Sequence, residues 1–212
     1  LPMGGTSVRI DNPVVIVIDD ELNLYEDMAP LIHQYEKEYF NKGVQRPLVF
    51  ICRDMGGVAL ATMLLREHKG TGITLPFYCI RYPQVNPGQF TEDIAAVTGA
   101  RPINKMKGYL MKNFNLAKDG GEVESMTVNM TRTVISRKES DSATYNGLIQ
   151  RLEKQIEELA NADVELLQSA KDRLSALRGM VGVIRIPGAT QGALNWKKEV
   201  VEDAVRAAQS AL

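Results

Sequence analysis

Asp19, Asp20 and Glu21 follow the apolar run 14–18, and Asp54 follows the apolar run 48–52. Carboxylates gathered at the ends of neighbouring strands can hold Mg²⁺ and accept a phosphoryl group, as in a receiver-type signalling domain. That chemistry also needs a lysine at a later strand end, and Arg81-Tyr82-Pro83 stands there instead, so a solvated strand end is the plainer reading. Asp54-Met55-Gly56-Gly57 precedes a helical pattern, where backbone N–H groups could cradle a phosphate. It lacks the G-x-G-x-x-G spacing and any following Lys-Ser/Thr. His33 and His68 are the only histidines, and neither is spaced with cysteine or acid as a metal ligand set requires, so no metal site is expected. Cys52 and Cys79 each sit in an apolar run and read as buried free thiols ahead of a disulfide or metal pair. No serine occupies a strand–turn–helix elbow. Asp203, beside Glu202, reads by pattern alone as an exposed helix carboxylate.

The elements that would carry these residues alternate. Residues 14–18 (VVIVI) form a continuous apolar run, expected as a strand covered on both faces and ended by the acidic triplet. Asn23 is a plausible N-cap for a helix reaching Phe40. Pro30 should break that helix, so its regular part is expected to start just before Pro30 and to end at Gly43. A strand over 48–52, a turn over 53–57 and a helix over 58–68 follow. The next strand starts near Phe77 because Pro76 cannot donate to a ladder. A short helix over 90–98 precedes Gly99. The order β-α-β-α-β-α argues for a parallel, helix-covered sheet. Gly120-Gly121 is expected as a tight turn. Residues 123–135 alternate as an antiparallel hairpin does. Leu148, Leu152, Ile156 and Leu159 make one apolar stripe and Leu166, Leu167, Ala170, Leu174 and Leu177 a second, so a helical hairpin is expected. A strand over 181–186, bracketed by Gly179 and Gly188, and a last helix over 193–212 complete the chain.

The helix over 58–68 has one feature that a sheet-docking helix does not need. Leu60, Met63 and Leu64 fall on one face, and Val58, Ala61 and Leu65 on another. One apolar stripe suffices to dock a helix on a sheet, so the second face implies a second partner, in the core or from outside.

The stretch RPLVFICRDMGGVALATMLLREHKG, residues 46–70, resembles the strand–turn–helix of the apical domain of GroEL-type (group I) chaperonins, with Ala59-Leu60-Ala61-Thr62 in the matching place. The resemblance continues through Asp93-Ile94-Ala95-Ala96-Val97-Thr98-Gly99 and returns at Val201-Glu202-Asp203-Ala204. It implies an α/β fold: an apical-domain-like sheet flanked by helices over residues 1–177, ending in the helical hairpin, with part of an intermediate domain over 178–212. The family's nucleotide-binding equatorial domain has no counterpart here, so the chain reads as part of a longer protein. The resemblance further implies an apolar groove between two helices that binds non-native polypeptides, lined by Met28, Ala29 and Ile32 on one side and Leu60, Leu64 and Leu65 on the other. Gly179 and Gly188 would act as hinge residues. Asp203 would be the catalytic carboxylate that positions water for ATP hydrolysis in the complete protein. ATP and Mg²⁺ are the family's cofactors, with none expected on this segment, so enzyme activity in the chain itself is left open. The partners implied are non-native chains, other copies in a homo-oligomeric ring and a GroES-type co-chaperonin. Val58, Arg66 and His33 replace a glutamate, an asparagine and a second glutamate of the family pattern. Those losses bear more on the co-chaperonin than on substrate, and Ala29 stands where the family has a leucine. Such divergence suits a viral or otherwise specialised member.

Composition sets the outer bounds. Lys and Arg number 25 against 26 Asp and Glu, so no general field for nucleic acid or membrane is implied. No run approaches the roughly 20 apolar residues of a membrane span. The N-terminus lacks a basic region followed by an apolar core, and a cytoplasmic protein is expected.

Overall fold

The computed structural model describes residues 7–59, 61, 76–82, 87–129, 132–138, 143–159, 163–179, 199–201 and 203–204. The chain divides into two compact units, Leu1–Leu177 and Arg178–Leu212. The first is built on a six-stranded mixed sheet of strand order β1-β5-β2-β3-β4, with β6 paired to β5. Its strands are β1 (Val8–Asp11), β2 (Val14–Leu22), β3 (Leu48–Met55), β4 (Phe77–Arg81), β5 (Gly121–Val128) and β6 (Thr133–Arg137). Strands β2, β3 and β4 are parallel, as the alternating order predicts. Strand β5 runs antiparallel to β2, β1 and β6, so the sheet is mixed and not wholly parallel.

Both faces of the parallel strands are buried, which is why their sequences are continuous apolar runs. Val14, Ile16, Ile18, Leu48, Phe50 and Cys52 pack with Met28, Leu31 and Tyr35 of α1 (Tyr25–Glu38) and with Ala59. Val15, Val17, Val49 and Ile51 point the other way, toward Phe90 and Ile94 of α2 (Pro87–Thr98). Beyond α2 lies the expected helical hairpin, α4 (Ala143–Leu159) and α5 (Val164–Leu177), joined to α2 around Ala96, Leu148, Leu152 and Leu177. A single helical turn, α3 (Leu116–Asp119), lies beside α1, where Gln34 donates to the Phe114 carbonyl at 2.9 Å and accepts from the Leu116 N–H at 2.7 Å.

Three local expectations are corrected. Helix α1 runs through Pro30 and starts at Tyr25 with Leu24 as N-cap. Pro30 lies early in the helix with its ring exposed, so the chain loses one backbone hydrogen bond and keeps its direction. Neither β2 nor β3 stops at its first acidic residue: β2 passes through Asp19–Glu21 with a register shift, and β3 continues to Met55. Gly120-Gly121 is not a turn. Gly121 opens β5, and a Cβ there would lie 2.8 Å from Thr98 Oγ1 and 2.9 Å from Ala100 Cβ. The glycine is required by close packing against the end of α2.

In the second unit, residues 199–201, 203 and 204 are helical, and Gly179 has a φ of 62°, a left-handed conformation that favours glycine. The strand expected over 181–186 and Gly188 lie outside the described residues.

Candidate functional site

The parallel register brings two helix starts to the same end of the sheet. Strand β2 ends with Leu22 paired to Met55 of β3, so α1 and the helical residues after Gly56 leave neighbouring strands together. The Gly56 N–H donates to the Leu22 carbonyl at 3.1 Å, and the Ala59 N–H to the Asn23 carbonyl at 3.5 Å. Gly56 and Gly57 permit this approach: a Cβ would lie 3.1 Å from Asn23 Oδ1 at Gly56 and 3.4 Å from the Asn23 carbonyl at Gly57. A side chain at Gly56 would crowd Asn23, and the Gly56 N–H is spent on the Leu22 carbonyl and is not free to hold a phosphate.

At this junction apolar side chains reach the surface. Leu24 is 55% exposed and Val58 56%. Ala61 is exposed and Ala29 half-buried. Among the residues expected to line a groove, Met28 is wholly buried and Ile32 is 9% exposed. Both pack into the core between α1 and the sheet, so as placed they back the surface and do not form it. Helix periodicity alone cannot say which side of an apolar helix meets the sheet; Leu31, Tyr35 and Met28 share that side. Leu60, Leu64 and Leu65 lie outside the described residues. His33 is exposed, 3.7 Å from the Glu36 carboxylate. Leu24 and Ala61 were missed as candidates; the signal was present in Ala61, which shares a face with Val58.

The carboxylates after β2 and β3 are engaged by protein. Asp19 accepts from Asn104 Nδ2 at 2.6 Å, the Tyr82 hydroxyl at 2.9 Å and Arg53 Nη2 at 3.3 Å. Burial and this contact to Asp19 push the Tyr82 hydroxyl up to about 12. Asp20 pairs with Lys105 at 2.8 Å and Asp54 with Arg81 at 3.3 Å. Although burial opposes it, bonding to Lys105 and the Glu21 N–H holds Asp20 below its ordinary value. No cluster of three or more potential metal ligands occurs among the described residues. Nothing in this arrangement favours phosphoryl acceptance. Asp203 is exposed on its helix.

No protein-family model matches the chain. The chain is 28% identical over 209 residues to the chaperonin GroEL of Wolbachia pipientis wMel, covering 97% of the chain and 36% of the relative. The GroEL of the Wolbachia strain wRi from Drosophila simulans matches with the same identity and coverage. In fold, the chain is similar to the chaperonin gp146 of bacteriophage EL, crystallised in the presence of ATP-BeFx, with a TM-score of 0.72 and 17% identity over 98% of this chain and 39% of that one. A second crystal form of that protein matches with a TM-score of 0.61. The chain spans little more than a third of the length of these relatives. The order of strands and helices is that of an apical-domain-like fold, and in sequence the chain is similar to a segment of GroEL-type chaperonins.

Proposed function

We propose that this chain is the polypeptide-binding segment of a ring-forming, ATP-driven chaperonin that assists protein folding. Residues 1–177 are its apical domain and residues 178–212 part of its intermediate domain. The observation that carries the reading is the exposed apolar side chains at two neighbouring helix starts, Leu24 and Val58 both more than half exposed, with Ala61 exposed and Ala29 half-buried on the same helices, on a fold shared with a chaperonin. Non-native chains display apolar side chains in no fixed order. A shallow apolar surface with few directional demands suits such ligands. Met28 and Ile32 form the floor that keeps α1 in place, and on the family resemblance Leu60, Leu64 and Leu65 would line the other side of the groove.

The remaining family roles belong to the complete protein. ATP and Mg²⁺ would be bound outside this segment, and the ring would be assembled from copies of the complete chain. Asp203 would reach the nucleotide only through motion of its domain, for which Gly179 and Gly188 are the hinge candidates. A GroES-type co-chaperonin would meet different polar partners here, because Val58, Arg66 and His33 replace polar or acidic residues of the family pattern. A cytoplasmic location follows from the same reading. No described helix is long and apolar enough to cross a membrane.

The test is capture of a chemically denatured protein by the wild-type chain and by Leu64→Glu, with circular dichroism as the check on folding. Loss of capture with the fold retained supports the groove. Undiminished capture by a folded Leu64→Glu chain contradicts it.

A further inference from the structure

The sulfurs of Cys52 on β3 and Cys79 on β4 lie 3.6 Å apart, and neither is in a disulfide. Phe50 is in register with Cys79 and Cys52 with Arg81, so the cysteines occupy diagonal positions on one face of neighbouring parallel strands. Cys52 is wholly buried, whereas Cys79 is half-buried on the strand at the end of the strand order. We propose that Cys79 and Cys52 are an oxidant-operated thiol pair, Cys79 reacting first and Cys52 closing a cross-link between β3 and β4.

The asymmetry of the pair sets the order of events. The contact with Cys52, aided by Arg81, holds Cys79 below the usual thiol range against the opposing effects of burial and Asp54. The same contact, with burial, pushes Cys52 up. The thiolate is the form that attacks a peroxide, and here it is also the more accessible sulfur. The Cys79 thiolate attacks one peroxide oxygen; the O–O bond breaks, hydroxide leaves, and Cys79 becomes a sulfenic acid. The Cys52 sulfur then attacks the Cys79 sulfur. The S–O bond breaks, and the departing hydroxide takes the Cys52 proton as water. In sum two thiols lose two hydrogens and one hydrogen peroxide is reduced to two waters.

A disulfide needs sulfurs about 2.05 Å apart and Cα atoms about 4.4–6.8 Å apart, and diagonal positions on neighbouring strands lie roughly 7–8 Å apart. Paired strands already lie about 4.8 Å apart, so the excess lies along the strands and closure shifts β4 along β3, which a strand at the end of the strand order can accommodate. The bond would tie together both ends of residues 56–76, the segment that on the proposed function carries Leu60, Leu64 and Leu65. Only that consequence for capture rests on the proposed function; the cross-link does not.

Hydrogen peroxide added to the reduced, complete chain tests this. Thiols are counted after denaturation, intact mass is measured, and cysteine peptides are mapped. The expected result is a fall from two titratable thiols to none, a mass lower by two hydrogens, and a peptide joining Cys52 to Cys79 that reductant separates. Cys52→Ser is expected to leave a dimedone-reactive sulfenic acid at Cys79. Retention of both thiols, oxygen added at either cysteine without a cross-link, or cross-links formed only between molecules would overturn the proposal. The wild-type chain decides it alone if Cys52→Ser does not fold. Capture by the reduced chain is measured separately, so failure of the cross-link and failure of the groove are distinguishable.

Discussion

Glu122 shows how a single charged side chain is tuned by its position beside the sheet. Lys138, at 2.7 Å, and Arg46 both bond its carboxylate and hold it below its ordinary value of 4.5. Arg46 also donates to the Asn12 carbonyl and side chain, each at 3.1 Å, so this guanidinium ties the β1–β2 corner to β5. A carboxylate with a depressed folded value adds stability that is present above the unfolded value and is lost as pH falls through the folded one. Stability measured by urea unfolding should therefore fall below about pH 4.5, and Glu122→Gln should flatten part of that acid limb. An unchanged acid limb in the variant would assign it to other carboxylates. Gly121→Ala tests the close packing of β5 on α2. The added methyl should cost about 1–3 kcal/mol, read as a lower urea midpoint at unchanged slope, because Thr98 and Ala100 cannot both withdraw.

Among the elements, the helical hairpin is fastened to α2 by polar as well as apolar contacts. Arg173 of α5 makes a two-pronged pair with Asp93 of α2 at 2.7 and 3.0 Å, each side chain 17% exposed. The Tyr145 hydroxyl donates to the Leu177 carbonyl at 2.8 Å, which closes the hairpin's base. Arg173→Ala should lower stability by about 1.5–3 kcal/mol, the range for hydrogen bonds to charged groups. It should also speed amide exchange in α4 and α5 more than in β2 and β3. Equal changes everywhere would mean that the hairpin unfolds only with the sheet. The hairpin itself was legible from its leucine stripes, and the parallel strands from their unbroken apolar runs. The Arg173–Asp93 pair was not legible, since 80 residues separate partners whose types are ordinary on any helix surface. Pro30 misled in a simpler way: at the sixth helical position a proline costs one intrahelical hydrogen bond, which a helix docked on the sheet through Met28, Leu31 and Tyr35 tolerates.

For the whole molecule, the order of strands, helices and hairpin follows from sequence, but the side that α1 turns outward does not. Met28 and Ile32 were expected at the surface and lie in the core, while Leu24 and Val58 carry the exposure. The apolar stripe of α1, Met28, Leu31, Ile32 and Tyr35, docks on the sheet, and the placement of Met28 and Ile32 in a groove rested on the family resemblance. That two helices follow neighbouring parallel strands was thus legible, and which of their residues face outward was not. The central claim is that this place binds chains that have lost their fold. The most direct measurement is the affinity of the reduced wild-type chain for one protein in its denatured and its native form, under identical buffer conditions. The account predicts binding to the denatured form alone, weakened by Leu64→Glu. Equal binding to both forms, or binding to neither at concentrations that match the avidity of a ring, would contradict it.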